Sequence, residues 1–167
     1  MNILIPMAGE GSRFVEEGYT FPKPLIDVNG KPMIQAVVEN LDFNANYIFL
    51  VRKDHLEKYE GLEDTLQRIT NGKCTIVEVD SLTEGEACTA LLAKEFINND
   101  EDLLIANSDQ YIEYSPENFN LVKELTNCDA IVYTFEAVHP KWSFVKTNSR
   151  GIVTEVAEKR PISNIAT

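Results

Sequence analysis

The sequence predicts an α/β fold built on a mostly parallel sheet, and three observations predict it. Short apolar runs (Ile3-Leu4-Ile5, YIFLV at 47–51, DLLIA at 102–106) lack the alternation of a one-sided sheet and read as strands covered on both faces. Segments with apolar residues every three or four positions alternate with those runs, as in βαβ units. One stretch, residues 7–30, has neither periodicity but carries Gly9, Gly11, Gly18, Gly30, Pro22 and Pro24. A loop of that length in a compact domain is usually functional. The 167 residues are expected to form a single domain, 1–167, large enough for a real core.

The elements follow in order. Asn2 to Pro6 is the first strand. From Pro32, suited to a first helical turn, Met33, Ile34, Val37, Val38 and Leu41 fall at helical spacing. Tyr47 to Val51 is a second strand; Leu56, Tyr59, Leu62, Leu66 and Ile69 then predict one amphipathic helix ending near Asn71-Gly72. Thr75 to Val79 is a third strand, Ala87 to Phe96 a helix entered through Thr83-Glu84-Gly85, and Asp102 to Ala106 a fourth strand ending in Asn107-Ser108-Asp109. Ser115-Pro116-Glu117 reads as N-cap, first-turn proline and dipole-compatible acid for a helix through Phe119, Val122 and Leu125. Ala130 to Phe135 is expected as a fifth strand, and Ser143 to Lys146 with Ile152 to Ala157 as a hairpin around Ser149-Arg150-Gly151. Ile162 to Thr167 has no cap or polar tail, so the chain is expected to lack the last strands of its fold.

Composition narrows the function. With 15 Lys+Arg against 27 Asp+Glu the net charge is −12, and no basic run or stripe offers a nucleic-acid surface. A free nucleotide still binds an acidic protein where local cations and a metal supply positive field. No stretch reaches the roughly 18 apolar residues of a membrane helix, and no signal segment follows Met1, so a cytoplasmic location is expected. Cys74, Cys88 and Cys128 are odd in number and widely spaced, and are expected as buried reduced thiols. Oligomeric state stays open, a homo-oligomer included.

In an open α/β sheet ligands gather outside the carboxyl ends of the strands. Two polar groups of residues fall there: the loop after the first strand and Asp109 after the fourth. Glycines let backbone N–H groups approach phosphate oxygens or a base edge. Arg13 offers a fork of donors to a polyphosphate, and Lys23 stands between two prolines. The loop fits neither common phosphate fingerprint, since Phe14 replaces the third glycine of one and no Gly-Lys-Ser/Thr completes the other. By itself Gly9-x-Gly11 reads as a turn and Asp109 as a turn cap, and Glu158-Lys159 fits a solvated strand end as well as a site. Trp142 and Phe144 fit a pocket wall or a core, and His55 and His139 the surface.

Taken together, these motifs resemble the nucleotidyltransferases that make nucleotide sugars, the nucleoside-diphosphate-sugar pyrophosphorylases and their cytidylyltransferase relatives. The resemblance runs through Ala8-Gly9-Glu10-Gly11-Ser12-Arg13-Phe14, Phe21-Pro22-Lys23-Pro24-Leu25 and Val28-Asn29-Gly30-Lys31-Pro32-Met33-Ile34. It continues through Thr83-Glu84-Gly85-Glu86-Ala87, Ala106-Asn107-Ser108-Asp109 and Glu158-Lys159-Arg160-Pro161. It implies a three-layer, Rossmann-like, mixed but mostly parallel sheet of the nucleotide-diphospho-sugar transferase type. It also implies that a nucleoside triphosphate and a sugar 1-phosphate (or similar small phosphate) give an activated conjugate and pyrophosphate. Ala8, Gly9, Gly11 and Ser12 would then contact the nucleotide, and Gly85 would line the base pocket. Arg13 would hold the triphosphate, Lys23 the reacting α-phosphate, and Glu158 and Lys159 the sugar and its phosphate. Asp109 would bind Mg²⁺, which neutralises oxygens where charge accumulates.

The sequence departs from that pattern at Glu10, where many relatives keep glycine, at Arg160, which interrupts Glu-Lys-Pro, and in a second metal aspartate that the chain does not reach. A nucleotide-sugar-dependent glycosyltransferase is the neighbouring alternative, but its Asp-x-Asp motif would need an acid where Asn107 stands. A non-catalytic nucleotide-binding regulatory domain is another.

Overall fold

The computed structural model describes residues 1–9, 18, 22–126 and 128–167. They form two compact units, Met1–Glu113 and Tyr114–Thr167.

In the first unit, strands β1 (Asn2–Pro6), β4 (Asn46–Arg52), β5 (Cys74–Val79) and β6 (Leu103–Ile105) make one parallel sheet. The spatial order is β5-β4-β1-β6, so the chain builds outward from β1 in one direction and then returns to its other side. Every residue of β1 is buried, which explains the unbroken apolar run Ile3-Leu4-Ile5 within it. Ile3 and Ile5 face a core formed with helix α1 (Met33–Leu41) and helix α3 (Leu62–Ile69), to which Phe49, Val51 and Leu66 also contribute. Leu4 faces the opposite core with Ile48, Leu50, Val79, Ala90 and Ala93, formed with helices α4 (Glu86–Leu91) and α5 (Lys94–Ile97). Helix, sheet and helix make the three layers.

Several elements are finer-grained than periodicity predicts. The helix expected through 56–69 is two, α2 (Lys53–Lys58) and α3, because Gly61 takes a left-handed φ of 82° and its carbonyl accepts the Thr65 N–H at 2.9 Å to start a new helix. The helix expected through 87–96 divides into α4 and α5. Leu92 and Ala93 donate only three residues back, to Thr89 and Ala90, and this tightening interrupts the α-helical ladder. Inside the stretch read as loop lies a small hairpin, β2 (Asp27–Val28) with β3 (Lys31–Pro32). Asn29 and Gly30, with φ of 55° and 83°, supply the two left-handed turn positions such hairpins favour.

The second unit holds α6 (Pro116–Thr126) and an antiparallel sheet ordered β7-β10-β8-β9, from β7 (Phe135–Glu136), β8 (Phe144–Thr147), β9 (Val153–Ala157) and β10 (Ile165–Ala166). Ser115 caps α6, its Oγ accepting the Asn118 N–H at 3.1 Å. The β8–β9 hairpin forms where the sequence places it, with a register shift at Lys146/Thr147. The strand expected over 130–135 shrinks to its last residue. Tyr133 instead packs its ring against Tyr114 and Phe119, centroids 5.6 and 6.1 Å away. Phe144 is a core residue of this unit, and Trp142 lies edge-on to Phe135 at 5.0 Å. Cys74 and Cys128 are half-buried and Cys88 is exposed, so burial of the thiols is less complete than the sequence implies. No helix among the described residues is long and apolar enough to cross a membrane.

Candidate functional site

Strand order decides where a ligand can enter. Chain continuity leaves β1 toward β4 on one side, whereas β6 sits on its other side, so β1 and β6 flank the topological switch point of the first unit. Crevices at such points, beyond the strands' carboxyl ends, are the usual binding places of open α/β sheets. The loops leaving β1 and β6 therefore carry the candidate site.

Beyond β1, the Met7 N–H still bonds the Leu50 carbonyl at 3.0 Å and Ala8 is buried, so the backbone is held by the sheet until Gly9 comes to the surface. Gly11, Ser12 and Arg13 lie outside the described residues. The chain returns at Pro22, and Lys23 opens a single 3-10 turn, Lys23–Leu25. The Leu25 N–H closes that turn on the Pro22 carbonyl at 2.8 Å, and Pro24 and Ile26 are buried beneath it. The two prolines thus fix the backbone on either side of Lys23. Beyond β6, the Ala106 N–H bonds the Leu4 carbonyl at 3.0 Å, and Ser108 is 6% exposed.

These two anchored segments bring Lys23 and Asp109 together. The Lys23 Nζ stands 2.5 Å from an Asp109 carboxylate oxygen, with the two side chains 25% and 29% exposed. A pair this wet contributes about 0–1 kcal/mol to stability, so it is weak as a fold-holding device. Its chemical content is a cation and a carboxylate, each accessible, at one point of the crevice. A phosphate is drawn to the first and a divalent cation to the second.

Asp109 suits Mg²⁺ in a limited way. Among the described residues no group of three His, Cys, Asp or Glu side chains gathers to hold a metal. A single carboxylate remains compatible, because Mg²⁺ keeps several waters and is commonly held by one or two carboxylates plus substrate phosphates.

Gly85 lies on the turn into α4, exposed, with an extended φ of 171°. Its carbonyl accepts the Thr89 N–H at 3.0 Å and lies 3.0 and 3.2 Å from the hydroxyls of Thr83 and Thr89. That turn is pinned by Thr83, already part of the Thr83-Glu84-Gly85 motif, and by Thr89, which sequence alone does not mark; the Thr-x-Gly-x₃-Thr spacing is its trace. A Cβ added at Gly9 or Gly85 would meet nothing within 4 Å, and neither lies in the left-handed φ region, so the described fold does not demand glycine at either place.

Glu158 and Lys159 belong to the second unit. The Ser143 hydroxyl donates to the Glu158 carboxylate and, with Lys159 beside it, holds that carboxyl below its usual range. Lys159 takes a left-handed φ of 50° and its ammonium lies 3.5 Å from Glu158.

Comparison with known proteins supplies the family. The model of the family described as nucleotidyl transferase matches residues 3–164. Among curated proteins, the chain is 29% identical over 119 residues to the bifunctional protein GlmU of Methanocaldococcus jannaschii, covering 71% of this chain and 27% of that protein. It is 25% identical over 168 residues to the same-named protein of Methanococcus aeolicus, covering 99% of this chain and 38% of that one. The chain therefore spans about a third of the length of these relatives. Among solved structures, a nucleoside-diphosphate-sugar pyrophosphorylase from Vibrio cholerae superposes with a TM-score of 0.75 at 26% identity, covering 99% of this chain and 70% of that one. A putative glucose-1-phosphate thymidylyltransferase from Bacillus anthracis shares the fold with a TM-score of 0.78 at 24% identity, over 99% and 68% of the two chains. With the family model spanning nearly the whole sequence and the same layered sheet in these structures, the chain belongs to the nucleotidyl transferase family.

Proposed function

We propose that the chain carries the nucleotidyl-transfer site of a sugar-activating enzyme: nucleoside triphosphate plus sugar 1-phosphate gives nucleotide-sugar and pyrophosphate. The observation that carries this reading is the Lys23–Asp109 pair at the β1/β6 switch point. In the reaction an oxygen of the sugar phosphate attacks the α-phosphorus in line; the new P–O bond forms as the bond to the β-phosphate breaks, and pyrophosphate departs with the electron pair. No covalent enzyme intermediate is needed, so the protein's part is positioning and charge neutralisation. Lys23, on its proline-locked turn, places its ammonium against the α-phosphate. In this reading Ala8, Gly9, Gly11 and Ser12 serve the nucleotide and Arg13 the triphosphate, as the family resemblance implies. Gly85 faces the base, and Glu158 and Lys159 serve the sugar and its phosphate. Asp109 holds Mg²⁺, which when bound supplies positive charge to the phosphate oxygens.

The name of the Bacillus anthracis neighbour sets the first substrates to try, thymidine triphosphate with glucose 1-phosphate. Pyrophosphate release from the full chain, across a panel of triphosphates and sugar 1-phosphates, tests the assignment. Lys23→Ala and Asp109→Ala are each expected to slow release by roughly 10²-fold or more, the usual cost of removing a group that stabilises transition-state charge. Unchanged release in Lys23→Ala would sink it. Triphosphate binding without pyrophosphate release would instead mark a regulatory domain.

A further inference from the structure

Beyond Asp109 the chain runs to Glu113, the end of the first unit, with no strand partner among the described residues. One side chain takes the place of a neighbouring strand there. Asn40, in the last turn of α1, accepts the Ile112 N–H on Oδ1 at 2.8 Å and donates from Nδ2 to the Ile112 carbonyl at 3.0 Å. Both backbone groups of Ile112 are thereby satisfied by one half-buried amide. The orientation of that amide is dictated, since the N–H requires its oxygen and the carbonyl its nitrogen.

Helix α1 is a rigid place from which to do this. Ile34, Val37, Val38 and Leu41 are buried in the core it shares with β1 and β4. Asp109 is consequently suspended between two fixed points, Ala106 bonded to β1 and Ile112 bonded to α1. Two residues separate each anchor from Asp109, so the backbone that carries its carboxylate is held on both sides.

We propose that Asn40 is a positioning residue, which sets the Asp109 carboxylate for the divalent cation by clamping the backbone at Ile112. The inference rests on the reading of Asp109 as the metal-facing acid. Carboxamide chemistry is specific here: leucine has a similar size and neither hydrogen bond, and aspartate keeps the acceptor but turns a second oxygen toward the Ile112 carbonyl.

The test uses the full chain and the variants Asn40→Leu, Asn40→Asp and Asp109→Asn. Mn²⁺ is titrated by electron paramagnetic resonance with the best-binding triphosphate and no sugar phosphate, and amide exchange is followed at Ile112. Both Asn40 variants are expected to weaken Mn²⁺ binding by about 10- to 100-fold, the usual cost of losing an outer partner of a metal ligand. Exchange at Ile112 should quicken in parallel. Weakening in Asn40→Asp is the more telling result, because its added negative charge alone would attract the cation. If the Asn40 variants fold with native thermal midpoints and bind Mn²⁺ as tightly as the parent, while Asp109→Asn does not, the clamp has no positioning role and Asp109 keeps its own. If Asp109→Asn also binds Mn²⁺ normally, the reading of Asp109 falls and the inference with it.

Discussion

The glycines among the described residues fall into two groups. Those at 18, 30, 61, 72 and 151 have positive φ between 76° and 86° and answer to backbone geometry. Gly9 and Gly85 do not, and each faces open space. An alanine at 85 is compatible with the extended backbone, so Gly85→Ala is expected to leave the unfolding free energy unchanged or raised by about 0.4–1 kcal/mol. The same variant should raise the KM for the triphosphate, and a melt beside a kinetic titration separates the effects. Lys23→Ala is expected to behave likewise in urea, shifting stability by less than about 1 kcal/mol, since its partly exposed ion pair is weak. Lys23 and Asp109 stand out in local sequence, the first between two prolines and the second after an apolar strand, and the fold pairs them. Asn40 does not: a polar residue in a helix's last turn resembles any solvated position, and its partner is 72 residues away. Nor did sequence reveal Thr89, whose hydroxyl is spent inward on the Gly85 carbonyl.

Elements were legible where one periodicity held for a whole element. The buried strands β1 and β4 and the helix α1 lie within a residue or two of where pattern placed them. Failure came at places where a single backbone preference overrides periodicity. Gly61 splits a helix whose apolar spacing continues undisturbed across the break, and the two-residue strands of the Asn29-Gly30 hairpin are too short to show alternation. The broken helix has a consequence for pH. On α2, His55 is half-buried with its ring edge-on to Tyr59, 6.0 Å away. Burial pushes its pKa below the ordinary 6.5, Arg52 and Lys58 push the same way, and Asp54 opposes them. The folded chain thus binds fewer protons than the unfolded chain between the depressed value and 6.5. Stability is complete above that window and falls as pH drops through it. Urea unfolding at about pH 7.5 and about pH 5.5 should show a larger acid loss in the parent than in His55→Gln.

The whole first unit rests on one sheet packed on both faces, and its fully buried Phe49 lies in the strand between β1 and β5. Phe49→Ala is expected to cost about 3–5 kcal/mol by denaturant titration, a large share of the roughly 5–15 kcal/mol that a domain possesses. The molecule's α/β class was readable because parallel strands covered on both sides write themselves as unbroken apolar runs. The second unit was less readable, because strands of two to five residues with mostly exposed side chains leave only a weak imprint. The order β5-β4-β1-β6 also imposes a schedule on synthesis. β1 emerges from the ribosome first, and β4 covers one edge some forty residues later. Its other edge must await residues 103–105, about fifty positions beyond the end of β4. At roughly 5–20 residues per second that is a delay of about 3–10 s, during which one edge of a strand with the apolar run Ile3-Leu4-Ile5 stands open to the nascent chains around it.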